Sequence, residues 1–118
     1  MELFKVVFHI DEVSKWKLNL VNVRNFVEDI GGAEYFIEIV SNAEAVTIFA
    51  DNRAENIYEL VEEMKFLISK KVTISVCRNA LRANVIAEES LPGFINIVPA
   101  GVTRIAILQG QGYSYIKP

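Results

Sequence analysis

Strand-length apolar runs alternate with helix-spaced apolar stripes along this chain, and that alternation constrains its fold more than any other feature. The first run, Leu3 to Ile10, reads Leu-Phe-Lys-Val-Val-Phe-His-Ile. So continuous an apolar run suits a strand covered on both faces, as in a parallel sheet. The following residues space Trp16, Leu20, Val23, Val27 and Ile30 at intervals of 4, 3, 4 and 3, which puts them on one helical face. Ser14 stands where a residue would cap that helix, and Gly31-Gly32 stops it. Trp16 is then a packing residue rather than a platform for a ligand.

Tyr35-Phe36-Ile37-Glu38-Ile39-Val40 forms the second strand run. Residues 43–50 carry two signals. Val46-Thr47-Ile48-Phe49 has strand propensity, but Ser41-Asn42-Ala43-Glu44 has the pattern of a capping box. Val46, Phe49 and Ala50 then share a helical face, and a short helix is expected. Asp51-Asn52-Arg53 is a polar break, with Asn52 and Glu55 as a second capping pair. Ile57, Leu60, Val61, Met64, Leu67 and Ile68 trace the next helix, with Glu59, Glu62 and Glu63 on its wet face. Lys70 and Lys71 complement its dipole at the end.

Residues 72–76 give the third strand, and Asn79 is a plausible cap for Ala80-Leu81-Arg82-Ala83. Phe94-Ile95-Asn96-Ile97-Val98 is the fourth strand. Val102, Ile105, Ala106, Leu108 and Gln109 lie on a helix ended by Gly110 and Gly112, and Tyr113-Ser114-Tyr115-Ile116 adds a short last strand. Residues 1–118 thus read as one α/β domain with a mainly parallel sheet.

Composition narrows the function. A net charge of −3, with no basic cluster beyond Lys70-Lys71, disfavours binding of nucleic acid through its phosphates. No apolar run approaches the ~20 residues that cross a bilayer, and the amino terminus does not read as a signal peptide. One cysteine cannot form an internal disulfide, which suits a reducing cytoplasm. One His beside one Cys makes a zinc site within the chain an unsuitable reading, and no cofactor motif is present. Hydrophobic residues make up 52% of so short a chain, so part of that surface is expected in a subunit interface.

In a parallel sheet, ligands bind along the edge formed by the strands' carboxyl ends. That edge collects His9, Asp11, Ser41, Asn42, Cys77, Arg78, Asn79, Pro99 and Gly101. Cys77 follows a β-branched run and precedes a helix, whose free N–H groups favour an anionic sulfur. Arg78 stands either as an anion clamp or as a solvated charge. His9 stands either as a neighbour of the thiol and proton shuttle or as a satisfied rim histidine. The plain alternative for Cys77 is a packed core thiol.

Order and spacing of several short stretches carry a resemblance. These are Lys5-Val6-Val7-Phe8-His9-Ile10, Asn22-Val23-Arg24-Asn25, Ile37-Glu38-Ile39-Val40 and Val76-Cys77-Arg78-Asn79-Ala80-Leu81. Leu91-Pro92-Gly93, Ile97-Val98-Pro99-Ala100-Gly101-Val102 and Gly112-Tyr113-Ser114-Tyr115-Ile116 complete the set. Together they resemble the DsrE/DsrF-like (YchN-like) family of small sulfur-relay proteins across nearly the whole chain. The resemblance implies a three-layer αβα sandwich on a five-stranded parallel sheet of order 4-3-2-1-5. It also implies homotrimers or hexamers, and in some members a cysteine that carries sulfur as a persulfide, which maps to Cys77. The leading expectation is a cytoplasmic sulfur carrier or sulfurtransferase that takes sulfur from a donor and passes it to an acceptor protein. The competing one is a non-catalytic oligomeric module that binds a small anion or nucleotide at the rim.

Overall fold

The computed structural model describes residues 2–50 and 57–118. Strand β1 (Leu3–Ile10) leads through a 3-10 turn, Val13–Lys15, into helix α1 (Trp16–Asp29). Strand β2 (Glu34–Ser41) is followed by a 3-10 segment, Ala43–Phe49, and by helix α2 (Ile57–Ser69). Strand β3 (Thr73–Cys77) runs straight into helix α3 (Arg78–Ala83). Strand β4 (Asn96–Val98), helix α4 (Gly101–Gly110) and strand β5 (Ser114–Ile116) follow. The strands form one sheet of order 4-3-2-1-5, and every neighbouring pair is parallel. This is the α/β sandwich that the alternating pattern and the resemblance imply.

Strand alternation sorts the side chains onto two faces. Val6, Phe8 and Ile10 of β1, with Ile37, Ile39 and Ile74, join Trp16, Leu20 and Val23 of α1 and Met64 and Leu67 of α2 in one core. The intervening Val7 and Val40 pack against Ile105 and Leu108 of α4 on the other face. Val76 alternates in step with Ile74 and clusters with Ala80 and Leu81, so α3 lies on the side of α1 and α2. Trp16 is 1% exposed, donates its Nε1–H to the Ala45 carbonyl at 2.8 Å, and meets Phe49 edge-on. It is a packing residue, as its place in the stripe predicts. No described helix is long and apolar enough to cross a membrane.

The caps differ from the sequence expectation. Ser14 falls inside the 3-10 turn, and no side chain caps that turn or α1. The Val13 N–H is taken instead by Glu44 Oε1 at 2.7 Å, which also removes Glu44 from the expected capping box. Ser41 stays in β2 as the register partner of Ile10 and Val76. Residues 43–49 are helical but wound as a 3-10 segment without a side-chain cap. The capping pair Asn52 and Glu55 lies outside the described residues. Strand β4 begins two residues later than expected, because Pro92 and Ile95 close a turn through the Ile95 N–H, 3.1 Å from the Pro92 carbonyl.

Candidate functional site at the β3–β4 crevice

Strands β3 and β4 are neighbours, yet β3 leads to a helix on one face of the sheet and β4 to α4 on the other. Such a reversal between adjacent parallel strands opens a crevice at their carboxyl ends. Cys77 stands at that crevice, paired with Val98 in the β3–β4 ladder.

The strand extends through Cys77 and the helix starts at Arg78, so Cys77 itself is the N-cap of α3. Its Sγ accepts the Ala80 N–H at 3.4 Å. Asn79, the expected cap, is instead an exposed first-turn residue. The β-branched run stops at Val76 but the ladder continues one residue further, through Cys77, and the helix follows at once from Arg78.

Helix α4 reaches Cys77 from the opposite face. A Cβ placed on Gly101 would fall 3.3 Å from Cys77 Cβ, 3.0 Å from Asn42 Cβ and 3.4 Å from Val40 Cγ1. Glycine is what permits this approach. The N-cap of α4, Ala100, offers no side-chain acceptor, so the partial positive charge of the first turn is left uncapped by its own chain. Two helices therefore begin beside Cys77, α3 at its sulfur and α4 at its Cβ.

His9 occupies the same rim. Its Nε2 is hydrogen-bonded to Asn42 Oδ1 at 2.8 Å, where the amide oxygen accepts, and its Nδ1 is hydrogen-bonded to the Tyr115 hydroxyl at 2.6 Å. Both ring nitrogens are engaged, so His9 is joined to the surroundings of Cys77 through Asn42 rather than by a bond to the sulfur. Tyr115, His9, Asn42, Gly101 and Cys77 thus form a continuous series along the carboxyl ends of the sheet. Tyr115 was not among the expected site residues. Its signal lies in the strand order, which sets β5 beside β1 and brings its tyrosine to His9.

The other rim residues divide. The Arg78 guanidinium is held by Glu88 at 2.8 and 3.4 Å, which turns it away from an anion-clamp role at the thiol. Asp11 accepts from Lys117 Nζ at 2.9 Å, a bond that holds its carboxyl below the ordinary aspartate range and raises Lys117. Ser41 is fully buried in step with Ile39, on the face away from α4, and its Oγ has no partner among the described residues. Pro99 is exposed in the link to α4. Beside His9 and Tyr115, a cavity of about 400 Å³ is lined also by Val102, Ile105, Ala106 and Gln109. Among the described residues no three His, Cys, Asp or Glu side chains come together as a metal site requires.

The five-stranded parallel sheet of order 4-3-2-1-5, with helices on both faces, makes this a small α/β sandwich protein with its one cysteine at the strand-end crevice. The chain belongs to the DsrE/DsrF-like family, whose profile matches residues 3–118. It is similar in structure to MTH1491 of Methanobacterium thermoautotrophicum, a protein of unknown function, at 30% identity and a TM-score of 0.82, over 98% of this chain and 99% of that one. It shares its fold with the ychN protein of E. coli, at 15% identity and a TM-score of 0.62 over the whole of both chains. No curated protein matches.

Proposed function

We propose that this protein is a cytoplasmic sulfur carrier in which Cys77 accepts sulfane sulfur as a persulfide and hands it to a thiol of another protein. The observation that carries the reading is the placement of Cys77 at the β3–β4 crevice, its sulfur already serving as an acceptor for a helix N–H. Membership of the DsrE/DsrF-like family supports it. In the loading step the Cys77 thiolate attacks the outer sulfur of a donor persulfide, R–S–SH. The donor S–S bond breaks, a Cys77–S–SH bond forms, and the donor leaves as its thiolate; electrons balance with no external oxidant. Discharge is the same exchange with an acceptor thiolate. The N–H groups at the starts of α3 and α4 stabilise negative charge on the sulfur through each step. Asn42 and His9, steadied by Tyr115, form the polar wall beside it.

Assembly of several copies, as a trimer or hexamer, belongs to this reading. Phe36, Val102 and Ile107 are large exposed apolar residues, and supply surface that self-association would cover.

The cavity beside His9 and Tyr115 favours a second reading, a non-catalytic module that holds a small anion or nucleotide at the rim. Cys77, only 6% exposed, would then be part of the packing. Loading followed by discharge separates the two. Protein charged with ³⁵S-labelled persulfide sulfur, desalted and mixed with an acceptor protein thiol, transfers label if it is a carrier and retains none in Cys77→Ser. Absence of label on the wild type, together with binding of a nucleotide or anion by calorimetry, supports the module instead.

A further inference from the structure

An ion pair between α4 and β2, in which the Glu38 carboxylate is buried and the Arg104 side chain is 34% exposed, is not used by the sulfur chemistry. Glu38 lies on β2 facing α4 and is 4% exposed. Arg104 grips its carboxylate with both prongs, Nε to Oε2 at 2.8 Å and Nη2 to Oε1 at 2.7 Å. Ser75 of β3 donates to the same Oε2 at 2.9 Å, and Asn96 of β4 donates to Ser75 at 3.0 Å. One polar chain therefore links α4 to three neighbouring strands. It runs directly beneath the rim: Ser75 is two residues before Cys77, and Asn96 two before Val98, on the same faces of their strands.

The helix geometry connects this chain to the thiol. Gly101, Arg104, Ile105 and Leu108 are spaced to share one face of α4. Gly101 meets Cys77 and Asn42, while Ile105 and Leu108 meet Val7 and Val40. Apolar contacts alone allow a helix to slide or roll over a sheet, since dispersion and burial are non-directional. A two-pronged guanidinium–carboxylate pair is directional and fixes both rotation and rise.

We propose that Arg104 and Glu38 are positioning residues for Cys77, locking α4 in the register that holds its uncapped first turn against that residue. This rests on the reading of Cys77 as a functional thiol, but its test does not require that sulfur be carried.

The test compares iodoacetamide alkylation of Cys77 in the folded wild type, Arg104→Met, Arg104→Lys and the double variant Glu38→Met/Arg104→Met. The double variant leaves no unpaired buried charge, and replacing both members of such a pair is often neutral for stability. A purely structural role predicts that the double variant recovers both its melting temperature and wild-type alkylation. A positioning role predicts recovered stability with alkylation still altered by about fivefold, the scale of one helix-terminus interaction. Arg104→Lys, which keeps the charge but not the fork, lies between wild type and Arg104→Met. Wild-type alkylation in the folded double variant overturns the proposal, and so does wild-type alkylation in Arg104→Lys if the double variant fails to fold. If the variants alter alkylation but the wild type takes up no sulfur from a persulfide donor, positioning stands and the carrier reading falls.

Discussion

Gly101 and Cys77 meet across the crevice so closely that a methyl group on the glycine would stand 3.3 Å from Cys77 Cβ. The atoms it would meet first are Cβ atoms of Asn42, just past the end of β2, and of Cys77, in β3, each fixed to its backbone and unable to swing aside. Gly101→Ala must therefore lift the start of α4. A loss of about 1–3 kcal/mol is expected in urea denaturation, the usual cost of overpacking. Alkylation of Cys77 in the folded variant is expected to change in parallel. A variant of wild-type stability and reactivity would show that the helix yields without consequence.

Arg78 offers the contrasting case. It follows Cys77 in sequence, yet its guanidinium is spent on Glu88, and both side chains are about a third exposed, at 35% and 37%. Arg78→Gln is expected to cost less than about 1 kcal/mol, as for other partly solvated pairs. Sulfur uptake by Cys77 should be unchanged, measured by intact mass. A large loss of uptake would return Arg78 to the site.

The fold was legible because each strand and helix carries its own period, and because parallel strands buried on both faces need the continuous apolar runs seen at Leu3–Ile10 and Glu34–Ser41. Caps were less legible. Ser14, Ser41, Glu44 and Asn79 all have the right chemistry, but which atom serves an N–H was decided across the fold: Glu44 reaches Val13, and His9 occupies Asn42. Cys77 as its own helix cap was hidden because the ladder runs one residue past the β-branched residues. Asn42, His9 and Gly101 were identified as rim residues, but their union with Tyr115 required the pairing of β5 beside β1. The Glu38–Arg104 pair, separated by 66 residues, left no local signal.

Trp16 and Leu67 test the larger core. Trp16→Phe removes the donor to the Ala45 carbonyl and leaves that buried acceptor unpaired, for an expected loss of about 1–3 kcal/mol. Leu67→Ala, at a fully buried site, is expected to lose about 2–5 kcal/mol. Both are read from the midpoint of urea unfolding at constant slope. Losses near zero would place these side chains outside the core.

The carboxyl-terminal strand is tied to β1 by a pH-sensitive clip. Lys117 holds Asp11 below its ordinary value of 3.8, so the clip contributes fully above that pH and is lost as pH falls through the depressed value. On acidification the Ile116 methyl signals in NMR are expected to move toward random-coil positions while those of Val7 hold. Lys117→Met should show the same displacement of Ile116 at neutral pH. Simultaneous loss of both sets of signals on acidification would mean that β5 has no independent clip.

The most direct measurement is the intact mass of the reduced protein after exposure to a persulfide donor and removal of excess reagent. A carrier gains the mass of one sulfur atom, the gain is erased by reductant, and Cys77→Ser gains nothing while keeping the wild-type circular dichroism spectrum. A wild type that takes up no sulfur from persulfide, polysulfide or a charged desulfurase, while remaining folded, contradicts a carrier role for Cys77.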